Sequence, residues 1–119
     1  MKKLYALIGV ALLVGCAEKA PLAPEQQWQG YCKSIGNAAR TILLDRQNGI
    51  LQDAATEHAE KLEDPTTKKF ILEIIHEVYQ LPADQINDQP DVKREKIRAQ
   101  VTERCQSTPF DEIPEYKPF

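Results

Sequence analysis

The three cysteines of this chain, Cys16, Cys32 and Cys105, are its most reactive side chains, because a thiol can carry lipid, form a disulfide or act as a nucleophile. Cys16 follows an apolar stretch over residues 4–14, which itself follows two lysines. As a helix this stretch would span about 16 Å, roughly half the hydrocarbon core of a bilayer, so it is too short for a membrane anchor. We therefore expect a signal peptide that is cleaved.

The end of this stretch, Leu13-Val14-Gly15-Cys16, resembles the lipobox of bacterial lipoproteins. The resemblance covers residues 1–16 and implies cleavage before Cys16, with thioether-linked lipid on its thiol. Several acyl chains on one residue would hold a protein permanently at a membrane. Ala17 follows, where Asp commonly marks inner-membrane retention in Gram-negative bacteria, so the resemblance implies an outer-membrane protein facing the periplasm. The alternative is an exported protein with an unmodified thiol.

With Cys16 assigned to lipid, Cys32 and Cys105 remain as an even pair in an oxidising compartment, where disulfides persist. A bridge that closes the long loop between them stabilises a fold by about 4 kcal/mol in the chain-entropy description. We therefore predict a disulfide between these two residues. The alternative is two free buried thiols.

The patterns expected of catalytic and metal sites are incomplete in this sequence. Glu73 and His76 form a Glu-x-x-His pair, but di-iron bundles need two such pairs and two further glutamates, and His58 has no glutamate three residues earlier. The second histidine of a zinc-protease motif is also missing. Ser34 and Ser107 lie outside any Gly-x-Ser-x-Gly context. We predict no catalytic residue, no metal site, no cofactor and no enzymatic activity, and we interpret His76 as a surface or edge histidine.

The size and charge of the chain limit its partners. It has 119 residues and a formal net charge of −3, which becomes more negative when Lys2 and Lys3 leave with the signal peptide. One modest domain fits this length. An acidic body without a dense basic run does not attract nucleic acid, so we expect none as a partner.

Apolar residues after Pro24 recur at spacings of three and four, which is typical of helices, and no stretch alternates with a period of two. We predict helices over residues 24–47, 50–63 and 65–80 and from residue 90 through Cys105. Pro24, Pro65 and Pro90 suit first helical turns, and Asn48-Gly49 suits a helix end. The residues expected on the buried faces are Trp28, Tyr31, Cys32, Ile35, Ala39, Ile42, Leu43, Leu51, Ala54, Ala55, His58, Leu62, Phe70, Ile71, Ile74, Ile75, Val78, Tyr79, Val92, Ile97, Val101 and Cys105.

The predicted fold is all-α: a small up-down bundle of about four helices, braced by one disulfide, after a cleaved lipoprotein signal peptide. Antiparallel neighbours in such a bundle bring Cys32, near the start of the first helix, beside Cys105, near the end of the last. The expected organisation is a signal peptide over 1–15, a lipidated cysteine and tether over 16–23, a helical domain over 24–107, and an extended proline-aromatic tail over 108–119.

The helical region also resembles a loose group of small exported bacterial proteins of unknown function. The resemblance extends over residues 28–106 and implies a helical, disulfide-braced architecture but no activity. The residues that carry it are Cys32, Arg46-Gln47-Asn48-Gly49, Tyr79-Gln80-Leu81-Pro82 and Cys105.

The tail has apolar side chains between its prolines, which favour an extended backbone. We take Phe110, Ile113, Tyr116 and Phe119 as candidate partner-binding residues that dock in a partner's groove. The alternatives are packing on the protein's own bundle, or disorder. Trp28 and Tyr31, near the tether, either cap the core beside the disulfide or contact lipid headgroups.

These observations predict a lipid-anchored envelope protein that binds a membrane through its lipid and acts by binding, with an envelope protein as a possible partner. One alternative is a carrier of a small apolar ligand in a cavity between the first and third helices. Another is an exclusion or inhibitor lipoprotein that acts on a second envelope protein.

Overall fold

The computed structural model describes residues 22–119, so Cys16 and the predicted signal peptide lie outside the described residues. Every regular element in this part of the chain is helical, which confirms the all-α prediction. The elements are α1 (Pro24–Gln47), α2 (Gln52–Glu60), α3 (Pro65–Gln80), α4 (Ala83–Asn87), α5 (Pro90–Gln106) and a 3-10 turn (Phe110–Glu112).

Local capping explains where the long helices begin and end. Proline opens α1, α3 and α5, where its missing N–H has no helical partner in any case. The carboxylate of Asp64 accepts a hydrogen bond from the backbone N–H of Thr67 at 3.0 Å, which caps α3. Gly49 adopts a φ of 87° after α1, a conformation that glycine reaches without steric cost.

The region after α1 differs from the sequence prediction in two ways. The second helix covers residues 52–60 rather than 50–63, because the amide of Ile50 bonds back to the carbonyl of Asp45 and thus belongs to the cap of α1. Part of the connection over residues 82–89 forms the short helix α4. Its one buried residue is Ile86, which anchors an otherwise polar segment to the core.

The predicted up-down-up-down order is confirmed, and α1 is its central helix. Cys32 and Cys105 join the start of α1 to the end of α5, and the Gln47 side chain reaches the Pro90 carbonyl at the other end, so α1 and α5 are antiparallel. Helix α3 lies parallel to α1, because Tyr31 bonds Thr67 near the starts of the two helices and Arg46 bonds the carbonyl of Val78 near their ends. Helix α2 packs on α3. The tyrosine hydroxyl of Tyr79 donates to the carbonyl of Ile50 at 2.6 Å, which joins the start of α2 to the end of α3.

Most of the expected core is buried or half-buried, but four predicted positions are exposed: Leu51, Ala54, His58 and Val92. Val92 is 57% exposed because the first turn of α5 is joined to α1 through polar groups, with Arg94 donating to Gln47 at 2.6 Å. Leu51 is 74% exposed because it precedes α2 instead of lying on its face, and His58 is also exposed. The largest fully buried side chains are those of Ile35, Leu43, Ile74, Val78 and Cys32.

The predicted disulfide is present, and it lies beneath the end of the bundle where α1 begins. The Cα atoms of Cys32 and Cys105 are 5.4 Å apart, and both residues are buried. The indole N–H of Trp28 donates to the carbonyl oxygen of Cys105 at 3.0 Å. Trp28 therefore caps the core beside the disulfide and is not free to contact lipid headgroups.

Helices α1 and α5 approach each other closely at Gly36. A Cβ atom placed at this position would overlap the hydroxyl of Thr102 and lie 2.8 Å from the carbonyl oxygen of Arg98. The absence of a side chain therefore allows the two helices to pack backbone to backbone. Arg40 on α1 and Arg98 on α5 both bond the carboxylate of Glu95, each at 2.9 Å, along the same interface.

Replacing both half-cystines, as C32A/C105A, is expected to lower the free energy of unfolding by about 2–4 kcal/mol, because the unfolded chain gains freedom when its longest loop is no longer closed. Urea denaturation followed by circular dichroism measures this loss. Reductant should destabilise the unaltered protein to a similar extent and leave the double variant unchanged. Equal stability of the two proteins would contradict the assigned role.

Substitution Gly36→Ala is expected to destabilise the protein by about 1–3 kcal/mol, because a methyl group cannot enter the α1–α5 contact without moving a backbone. Gly30→Ala, in the same helix but with no heavy atom within 4 Å of the added Cβ, is the matched control. That variant should gain about 0.5–1 kcal/mol from reduced chain entropy. Adding Thr102→Ala to Gly36→Ala should restore part of the loss.

Candidate functional site

The tail folds back onto the end of the bundle where α1 and α3 begin. Ile113 and Tyr116 are half-buried and pack against the core, whereas Phe110 and Phe119 are 58% and 69% exposed. Of the alternatives weighed from the sequence, packing on the protein's own bundle therefore describes Ile113 and Tyr116. The two phenylalanines add exposed apolar area beside them.

An aromatic cluster joins the tail to α1 and α3. Tyr116 lies against both rings of α1, with centroid distances of 5.2 Å to Trp28 and 4.3 Å to Tyr31. Phe119 stacks on Tyr31 at 5.3 Å. Aromatic pairs at such distances contribute about 0.5–1.5 kcal/mol beyond their buried area. The five members of the cluster are Trp28, Tyr31, Phe70, Tyr116 and Phe119.

Polar contacts fix the backbone of the tail on the first turn of α3. The hydroxyl of Thr66 donates to the carbonyl oxygen of Glu115 at 2.5 Å. The pKa of the Asp64 carboxyl, which caps α3, is lowered first by the Thr67 hydroxyl and also by Lys117 of the tail. The tail is therefore held by main-chain as well as aromatic contacts.

Beneath the tail, one chain of hydrogen bonds runs from α1 to the cap of α3. The Thr67 hydroxyl donates its single proton to the Asp64 carboxylate at 2.6 Å, so Tyr31, 2.7 Å away, must donate to Thr67. The Thr67 hydrogen bond holds the pKa of the Asp64 carboxyl below its usual value. Burial raises the pKa of the Tyr31 phenol, which keeps that donor protonated. The network therefore has a fixed direction at neutral pH.

Two adjoining surface grooves flank the tail and share Gln27 and Pro118. Leu22 and Phe119 line one groove, and Phe110 lines the other. A third groove, with a volume of about 390 Å³, lies on the other side of the tail between Pro114 and the first turns of α3. These grooves offer apolar surface for contact, bounded by main chain and a few charged side chains.

The polar residues considered for catalysis lie elsewhere and bond to their own helices. His76 is exposed, with its Nε2 atom 3.0 Å from the side-chain amide of Gln80. The hydroxyls of Ser34 and Ser107 point to helical carbonyl oxygens four residues earlier. Among residues 22–119, no group of three or more histidine, cysteine or acidic side chains is placed to hold a metal ion.

Sequence reasoning missed the contacts that hold the tail. The Asp64-Pro65 pair signals a helix start, but nothing in it indicates that the next residue, Thr66, holds the Glu115 carbonyl of the tail. The sequence predicts that Leu22 belongs to the tether. In the structure it lines a groove with Phe119, because the tail returns to the start of α1. Such pairings join distant parts of the chain and have no local pattern.

Searches of protein-family models, curated proteins and solved structures found no match to this chain. No helix within residues 22–119 is long and apolar enough to cross a membrane.

Acid is expected to weaken the fold through Asp64. Its lowered pKa means that the ionised carboxylate stabilises the native state above about pH 4, and that this stabilisation is lost as the pH falls through the native-state pKa. Asp64→Ala should therefore lower the urea midpoint near neutral pH and reduce its fall on acidification. Asp88→Ala, at an exposed carboxylate away from the tail, is the control, and its urea midpoint should fall with pH as steeply as that of the unaltered protein. If the urea midpoint fell equally steeply with pH in all three proteins, the role assigned to Asp64 would be contradicted.

Proposed function

We propose that this protein is a lipid-anchored lipoprotein of the bacterial outer membrane, facing the periplasm, that acts by binding and not by catalysis. The observation that carries the proposal is the run Leu13-Val14-Gly15-Cys16, which follows a basic start and a short apolar stretch. Acylation of Cys16 would keep the helical domain at the membrane surface, where its effective concentration for other envelope components is high.

The position of the tail supports this role. Leu22 is six residues from Cys16, a separation of at most about 20 Å even when the chain is fully extended. The tail packs at this same end of the bundle, where α1 begins. An interaction surface made by Phe110, Ile113, Tyr116 and Phe119 would therefore be held close to the membrane.

The division of labour within the tail fits a binding role. Ile113 and Tyr116 attach the tail to the core, while Phe110 and Phe119 extend apolar area toward solvent. Because aromatic and main-chain contacts already order the tail, little further conformational entropy is lost when it binds.

The interior of the bundle favours an interaction role over a carrier of a small apolar ligand. The carrier alternative requires a cavity between α1 and α3. Fully buried side chains from both helices meet in the shared core instead, with Ile35 and Leu43 from α1 and Ile74 and Val78 from α3. The grooves beside the tail open to the surface.

Substitution Cys16→Ser is expected to abolish lipidation and move the protein out of the membrane fraction, because serine provides no thiol for the thioether. The full chain would be expressed in a Gram-negative host, and intact-mass spectrometry would establish cleavage and acylation at residue 16. Fractionation of outer and inner membranes would establish the location.

The matched control is C32S/C105S, which removes the other two thiols and should leave lipidation and membrane location intact. Recovery of the unaltered protein with a free Cys16 sulfhydryl, or with its leader uncut, would contradict the proposal. Loss of the membrane location in the control but not in Cys16→Ser would contradict it as well.

A further inference from the structure

The large apolar side chains exposed among residues 22–119 form two groups, one at each end of the bundle. Leu22, Phe110 and Phe119 surround the start of α1. Ile50, Leu51 and Val92 lie at the opposite end, where α1 stops and α5 begins. The 24 residues of α1 separate the two groups by about 36 Å.

The first group, which we name the apolar rim, consists of Leu22, Phe110 and Phe119. These side chains are 59%, 58% and 69% exposed, so each presents most of its apolar surface to solvent. Leu22 and Phe119 line one groove and Phe110 lines another, and the two grooves adjoin because they share Gln27 and Pro118.

Other contacts hold the apolar rim in position. The Phe119 ring stacks on Tyr31. The Thr66 hydroxyl donates to the carbonyl oxygen of Glu115, which lies between the two phenylalanines in the sequence. Phe110 begins the 3-10 turn over Phe110–Glu112, which fixes its backbone. The rim is thus an ordered apolar surface rather than the loose end of a chain.

The length of chain between Cys16 and Leu22 limits how far this surface can lie from a membrane that holds the lipid of Cys16. Leu22 is a member of the rim, and at most about 20 Å of extended chain separates it from Cys16. If Cys16 carries lipid in a bilayer, Leu22 lies within about 20 Å of the membrane surface, which allows the rim to meet it. The far group, some 36 Å further along α1, is beyond that reach.

We propose that the apolar rim is a membrane-contact surface, and that Leu22, Phe110 and Phe119 insert into the headgroup region of the bilayer that holds the lipid of Cys16. This inference rests on the lipidation proposed above and names the partner of the tail surface. Leucine and phenylalanine side chains on an ordered face are suited to this depth of a bilayer. The lipid chains supply the affinity, and the rim sets the orientation of the bundle.

Charge near the rim selects the kind of lipid. Glu25, Asp111, Glu112 and Glu115 lie in the same segments, with Lys117 as the neighbouring cation. Such a face is repelled by the negative potential of an anionic leaflet. The rim therefore fits a zwitterionic surface, and its binding depends on apolar contact and not on attraction between charges.

The test places a fluorescent side chain on the rim of the lipidated, full-length protein purified from cell membranes. Phe119→Trp and, separately, Phe110→Trp would be reconstituted in phosphatidylcholine vesicles that contain brominated lipid, which quenches indole emission on contact. Leu51→Trp, equally apolar but at the far end of α1, is the matched control. The buried Trp28 supplies the same background in every protein.

Tryptophan at residues 119 and 110 should emit at shorter wavelength in vesicles and be quenched several-fold more strongly than tryptophan at residue 51. Replacing part of the phosphatidylcholine with phosphatidylglycerol should reduce that quenching. Equal quenching at 119 and 51 would overturn the proposal. Shielding of residue 119 without lipid quenching, by a second copy or by another protein in a crosslinked complex, would also overturn it.

A second arm separates this inference from the lipidation on which it rests. Oxidised protein that begins at Cys16 has one free thiol, which couples to a maleimide-bearing lipid in the same vesicles. If cellular protein proves unacylated, the proposed function fails, but the coupled protein still reports whether the rim meets the bilayer. Unquenched tryptophan at both 119 and 110 in the coupled protein overturns the rim proposal whatever the state of Cys16 in cells.

Discussion

The contact between α1 and α5 is the constraint on which the remaining structure depends. Two features fix it: the covalent bond between Cys32 and Cys105 at one end, and the close backbone approach at Gly36 further along. A modest helical domain buries a limited apolar area, so a cross-link between helices distant in sequence supplies a large share of its net stability. Once this pair is set, α1 has a second face free for α3, and α2 and α4 cover what remains.

The same contact determines where the tail can lie. Cys105 is near the end of α5, so the disulfide delivers the last residues of the chain to the start of α1. Trp28 caps the bridge by donating to the carbonyl of Cys105, and its ring then forms one wall of the aromatic cluster that receives Tyr116. The first turn of α3 takes part as well, because the Thr66 hydroxyl donates to the carbonyl oxygen of Glu115 in the tail. The stability of the core and the geometry of the candidate surface therefore share residues.

This arrangement separates the molecule into two ends with different surroundings under the proposed function. The end that carries the tail and the apolar rim would be tied to the membrane through a short segment, whereas the far end, with Ile50, Leu51 and Val92, would project away from it. A rim that meets the bilayer would restrict rotation of the bundle about its tether. The far end and the sides of the bundle would then face the periplasm in a constant orientation, available to other envelope proteins.

Local patterns in the sequence determined the helices, because spacing along one face, proline at the first turn and glycine after the last turn act through near neighbours. The bounds of α1 and α3 and the start of α5 follow from them, and the even pair of cysteines indicated the disulfide. The same kind of reasoning overextended α2 and missed α4, since the Ile50 amide is used by the cap of α1 and burial of Ile86 depends on a distant helix. The sequence alone also indicated the candidate partner-binding residues of the tail, which are Phe110, Ile113, Tyr116 and Phe119. Only the tertiary structure decided that two of them hold the tail and two remain exposed, because burial is set by helices from other parts of the chain, which no local spacing records.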